Sequence, residues 1–211
     1  MIKISIMCPS IRPSGLEIVQ KCLKEQTFTE FEFLTEIGLG KKYDINQAWN
    51  RMARRAQGEL LVCYQDFIKI EPDGLQRFWD AYQANPGYCF TGAVGKSQNL
   101  EFTEPKWDWR KTRLGQIPAD HCEFDWGALP KKALFDIGGF DERLDEWWSF
   151  DNVSVCKRAE MLGYKFMCIE NPSIAYDHDT HMKNPFRDDY RPMMATMIME
   201  DYVKNPRLKY L

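Results

Sequence analysis

Five residue sets have types and spacings suited to chemistry. Asp177-His178-Asp179-Thr180-His181 packs four metal-ligating side chains into five positions, but adjacent residues seldom all face one ion. Trp107, Trp109, Trp126, Trp147 and Trp148 crowd the second half, where aromatic faces suit the C–H faces of sugars as well as ordinary packing. Asn46 and Asn50 stand four apart, on the flank of an apolar helical stripe, and so point to one side. Asp66 ends an apolar run, which places a carboxylate where a strand opens. Asp151 precedes a second apolar stripe and reads either as a helix cap or as a general base.

The elements that must position them follow from periodicity. Ile2 to Cys8 is a short apolar run ended by Pro9, a buried strand. Ser14 and Glu17 have the capping-box spacing, with Leu16, Val19 and Leu23 behind them at helical intervals to about Gln26. Phe31 to Ile37 reads as a second strand. From Asp44 the positions Ile45, Ala48, Trp49, Met52, Ala53 and Ala56 form one continuous stripe. Glu59 to Tyr64 is a third strand, Pro72 opens a helix, and Tyr88 to Val94 is a fourth strand. Strand–helix alternation of this kind predicts a mainly parallel sheet flanked by helices, with ligands at the carboxyl ends of the strands. Those ends are Pro9–Arg12, Glu36–Tyr43 and Gln65–Phe67.

From Lys96 to Cys122 the pattern fails, as expected of a functional loop, and Trp107 and Trp109 are placed there to act as a lid. Short helices are predicted over Pro130–Ile137 and Ser149–Leu162, a strand over Tyr164–Ile169, and a C-terminal helix over Arg191–Lys204. The expected organisation is one domain over 1–211: a nucleotide-binding half (1–95), an acceptor and catalytic half (96–190) and a C-terminal helix (191–211).

Charge narrows the partners. With 28 basic against 31 acidic residues the chain is mildly acidic, which argues against a nucleic-acid backbone as partner. Arg51, Arg54 and Arg55 read as a solvated helix face. Seven cysteines with no C-x-x-C pair read as reduced core thiols. No apolar stretch reaches the length of a membrane span and no secretory pattern opens the chain, so a cytoplasmic protein is expected, with peripheral membrane contact left open. Oligomeric state is not encoded legibly.

Several segments together resemble the family 2 glycosyltransferases of the GT-A fold. They are ISIMCPSIRP followed by LKEQTF; Asn50 to Glu59, similar to the family's N-x-G-x-x-x-A-x-G-E though its glycine is absent; Tyr64-Gln65-Asp66-Phe67, where the family carries a metal-binding Asp-x-Asp; Asp125-Trp126-Gly127-Ala128 with IGGFDE; Asp151 to Arg158, where the family often has E-D-x-D-L-x-x-R; and Asp177-His178. The resemblance implies an α/β, Rossmann-like GT-A domain that transfers a sugar from a nucleotide donor, UDP-sugar by default, to a carbohydrate or other hydroxyl acceptor with inversion. It also implies a divalent metal, Mn or Mg, on Asp66 and His178, and Asp151 as general base with Asp125 as second candidate. Nucleotide contacts fall on Pro9, Ser10, Arg12, Glu36, Asn46, Asn50, Gln65 and Asp66. Sugar or acceptor contacts fall on Trp126, Gly127, Trp147 and Trp148. Gln65 and Phe67 depart from the metal motif, and Asn152 leaves one carboxylate where two are usual. Two other expectations stand beside this one: a GT-A-type sugar-nucleotide-binding module without catalysis, and a metal-dependent hydrolase built on Asp177–His181.

Overall fold

The computed structural model describes residues 1–11, 13–38, 44–146, 151–176 and 200–211, with the side chains of 13, 146, 151 and 176 excepted. In chain order the elements are β1 (Ile4–Ser10), α1 (Pro13–Lys24), β2 (Phe31–Ile37), α2 (Ile45–Arg55), β3 (Leu60–Tyr64), β4 (Ile68–Ile70), α3 (Gly74–Ala84), β5 (Tyr88–Ser97), β6 (Lys106–Trp107), β7 (Gly115–Ile117), β8 (Trp126–Pro130), α4 (Lys131–Asp136), α5 (Asp151–Met161) and β9 (Lys165–Tyr176). The sheet runs β2-β1-β3-β8-β5-β9-β4, with β6 on β5 and β7 on β9. Strands β2, β1 and β3 are mutually parallel. β8 opposes both β3 and β5, so β5, and β9 beside it, run with the first three. The sheet is therefore mainly parallel in direction, with β8 as an antiparallel insert.

Alternation along the strands divides the core into two layers. Ile4, Ile6, Val62, Phe90 and Trp126 face α1 and α3 through Val19, Leu23, Leu75 and Phe78. Met7, Leu61, Cys63, Cys89 and Leu129 face α2, α4 and α5 through Trp49, Met52, Leu134 and Val155. Period-2 alternation on strands and a 3.6-residue stripe on helices produce such a three-layer sandwich. All seven cysteines are buried as free thiols, matching the expectation of core residues.

The helix after β1 opens at Pro13, so a proline takes the first helical position and Ser14 sits inside the first turn instead of capping it. Segment 96–122, expected to be irregular, is pinned by β6, β7 and two 3-10 turns, Trp109–Thr112 and Ala119–His121. Its keystone is Arg110, 3% exposed, which bonds Asp108 and donates to Thr91 Oγ1 (3.0 Å), with Glu123 at 3.1 Å. Burial pulls the Arg110 pKa down, but Asp108 and Glu123 outweigh it and hold the guanidinium above its usual value. The expected C-terminal helix is described only over 200–204.

Residues 205–211 fold back as a clasp. Leu208 N–H donates to Ile137 O (2.9 Å) and Tyr210 N–H to Gly138 O (3.0 Å). Gly138 has φ +74°, and a Cβ there would lie 1.9 Å from Leu208 O, so the close approach demands glycine.

Candidate functional site

Because β1, β2 and β3 are parallel, their carboxyl ends bring Ser10, Glu36, Gln65 and Asp66 to one edge. Because β8 runs the other way, its amino end brings Asp125 to the same edge, and Gln65 N–H donates to Asp125 O (3.0 Å). Five residues expected to bind or react are thus assembled by strand direction alone.

Ser10 Oγ donates to Asp66 Oδ2 at 2.6 Å, and Asp66 is 2% exposed. The first turn of α1 lies on this pair: a Cβ on Gly15 would sit 2.4 Å from Asp66 O and 3.1 Å from its Cγ. Glu36, expected at the nucleotide, receives Arg55 Nη2 (2.7 Å) and Arg51 Nε (3.2 Å) from α2. Arg51 and Arg55 thus hold Glu36 from an exposed helix face, while Arg54 donates to Tyr210 O. Pro9 is buried in β1 opposite Glu36.

Four of the expected site residues are buried in the fold. Asn46 and Asn50 are fully buried and act as struts between α2 and the 137–146 segment. Asn46 donates its N–H (2.7 Å) and Nδ2 (2.9 Å) to Asp145 Oδ1, while Gln47 N–H reaches Oδ2 (3.1 Å). Asn50 Nδ2 donates to Phe140 O and Glu142 Oε1, both at 2.9 Å, and Asn50 Oδ1 accepts from Phe140 N–H (2.8 Å). Asn50 spends both ends of its amide on these partners, whereas Asn46 Oδ1 is buried without one among the described residues. Trp126, expected at the sugar, is a core ring between Tyr64 and Phe78, with centroids at 5.1 and 4.8 Å. Gly127 serves packing, since a Cβ would fall 2.6 Å from Glu123 O.

Sequence reasoning missed the carboxylates that organise this region. Asp141 is fully buried and accepts from Arg143, Tyr202 Oη (2.7 Å) and Tyr210 Oη (3.3 Å). Burial alone would raise its pKa; the hydrogen bonds from Arg143 and Tyr202 outweigh that and hold it below the usual carboxylate value. Asp145 goes the other way: burial raises it more than the donors from Asn46 and Gln47 lower it. The spacing Asp141-x-Arg143 was the available signal, an acid and a base two apart beside two glycines. Arg158, also buried, donates to Ile137 O (2.9 Å) and lies under the Tyr202 ring (5.2 Å), which fixes α5 to the helical stretch that precedes the clasp.

Arg12, Trp147, Trp148, the Asp177–His181 cluster with the expected ligand His178, and the side chain of Asp151 lie outside the described residues. Among the described residues no three His, Cys, Asp or Glu side chains converge on a metal position. Asp66, nearly closed off and bonded to Ser10, supplies one carboxylate, fewer ligands than a divalent ion needs. The described donor set does not by itself fit the expected metal.

No protein-family model and no curated protein sequence matches the chain. Solved structures do. The chain superposes on S. aureus TarS 1–349 in complex with UDP-GlcNAc with a TM-score of 0.71 and 12% identity, over 99% of this chain and 68% of that one. Against TarS 1–349 in complex with UDP the values are 0.63 and 11%, over 82% and 60%. A third structure of S. aureus TarS gives 0.64 and 11%, with 82% of this chain spanning 36% of that chain. The chain has a GT-A-like fold. At these identities the likeness establishes the fold alone, and the chain spans between about a third and two thirds of the matched proteins. Within the GT-A-like sheet, Ser10, Glu36, Gln65, Asp66 and Asp125 occupy the edge where open α/β sheets bind ligands. Among the described residues no helix is long and apolar enough to cross a membrane.

Proposed function

We propose that the chain is a glycosyltransferase that moves a sugar, with inversion, from a nucleoside-diphosphate sugar to an acceptor hydroxyl. The observation that carries this reading is the likeness, across 99% of the chain, to TarS holding UDP-GlcNAc. The convergence of Ser10, Glu36, Gln65, Asp66 and Asp125 on one strand edge supports it, and a UDP-sugar is the donor it favours.

Displacement at the sugar carbon requires the acceptor to lose its proton as it attacks. Asp151 is the proposed base, from its place at the start of α5; Asp125, half-buried at the edge, is the second candidate. The Ser10–Asp66 pair under the α1 N-terminus fixes the floor of the donor site. Asp66 and His178 would hold a Mn or Mg ion, which would neutralise charge on the departing diphosphate. The test is titration calorimetry with UDP and UDP-GlcNAc, with Mn and with chelator, followed by donor turnover. Binding that is weakened about tenfold by Ser10→Ala, together with turnover lost in Asp151→Asn, is expected.

A second reading is favoured by Gln65 and Phe67 flanking Asp66 and by Asn152: a GT-A-like module that binds the nucleotide sugar without transferring it. Nucleotide binding with no turnover, unchanged in both Asp151→Asn and Asp125→Asn, selects this reading.

A further inference from the structure

β6 pairs with Gly95 and Lys96 at the carboxyl end of β5. Since β9 occupies the other side of those residues, β6 must lie on the β8 side, one step beyond Asp125. Segment 106–114 therefore rises beside the candidate site, and it carries unusual side chains. Lys111 Nζ stands 4.6 Å over the Trp107 ring, and Arg113 stands 5.8 Å over Trp109, whose other neighbour is His121 at 4.8 Å. Trp109 is 37% exposed and Leu114 54%.

Charge adds a second observation. The chain is net −3, yet residues 96–113 hold five basic and three acidic side chains. Arg110 and Asp108 neutralise each other inside, which leaves Lys96, Lys106, Lys111 and Arg113 exposed against Glu101 and Glu104. A third observation is a small cavity at the foot of the patch, lined by Lys111, Leu114, Ile169 and Glu170. It lies at a break in sheet register, with Ile169 opposite Gly92 and Ser173 opposite Val94.

Exposed aromatic rings receive the apolar side of a sugar ring, a carboxylate accepts from its hydroxyls, and a fringe of cations reads negative charge. We propose that this surface is the acceptor platform of the chain and that the acceptor it takes is an anionic carbohydrate. The proposal rests on the glycosyltransferase reading for the word acceptor, but the binding it asserts does not depend on turnover. A long-range field of one sign also speeds capture of such a polymer and is screened by salt.

The test is affinity electrophoresis and calorimetry of the full chain with polygalacturonate, phosphomannan, neutral dextran and inorganic polyphosphate. Binding of either acidic glycan, at least about tenfold tighter than dextran, supports the platform, and whichever binds tells carboxylate from phosphate recognition. Trp109→Ala is expected to weaken glycan binding about tenfold while leaving polyphosphate unaffected, and Lys111→Glu with Arg113→Glu to abolish both. Lys111→Glu alone, on an exposed side chain, covers the case in which the tryptophan variant fails to fold. Equal binding of dextran, no acidic-glycan binding, or indifference to both Trp109→Ala and Lys111→Glu overturns the proposal. UDP titrations on the same variants stay at the wild-type value; absence of UDP binding in the wild type would overturn the donor reading and leave the glycan result to stand on its own.

Discussion

Two buried aspartates a single turn apart are pulled in opposite directions, and the pH dependence of stability separates them. Asp141 is held below its unfolded value of about 3.9, so its contribution is complete above that pH and is lost as pH falls through the folded value. Asp145 is raised, so ionising it in the fold costs stability as pH climbs from about 4 through the folded value. Urea unfolding from about pH 2 to about pH 7 should show Asp141→Asn losing on the order of 3 kcal/mol at neutral pH, with a flatter acid limb. Asp145→Asn should remove the decline on the neutral side. The same acid limb in Asp141→Asn and wild type would contradict the assignment. Ser10→Ala should cost about 1–2 kcal/mol of stability, because a buried carboxylate loses a donor, in addition to its effect on nucleotide affinity.

At the scale of elements, close backbone approaches decide which positions tolerate change. A Cβ at Gly92 would sit 2.1 Å from Asn171 O, at the register break between β5 and β9, so Gly92→Ala should cost about 3 kcal/mol. Gly87, at the turn before β5, has nothing within 4 Å, so Gly87→Ala should stay within about 0.5 kcal/mol. Thermal unfolding of the pair checks the contrast. Elements with strong periodicity were legible in the sequence: β2 begins and ends where its alternation does, and α2 starts one residue after Asp44. β8 was not, because Trp126–Pro130 is buried on both faces and five residues long, which leaves neither alternation nor length to read. β4 was not legible either, because three residues are too few to show a period. The clasp at 205–211 was illegible because its bonds use backbone groups and a glycine whose φ no spacing reveals.

For the molecule as a whole, strand order explains why part of the site could be read ahead and part could not. Carboxyl ends of parallel strands share an edge in any such sheet, so the strand ends carrying Ser10, Glu36, Gln65 and Asp66 were legible from element order, while the nucleotide roles expected of them came from the family resemblance. Side-chain direction on a helix depends on what packs beside it; Asn46 and Asn50 face the 137–146 segment, which periodicity could not foresee. Trp126 follows the same logic, since inward or outward on β8 is fixed by pairing with β3. The glycosyltransferase proposal requires this edge to hold a nucleoside diphosphate. Calorimetry of the full chain with UDP, in Mn and in chelator, decides whether it does. Saturable binding at or below millimolar UDP is expected, weakened about tenfold by Asp66→Asn. No heat at millimolar UDP in either condition, or binding indifferent to Asp66→Asn and Ser10→Ala alike, would contradict it.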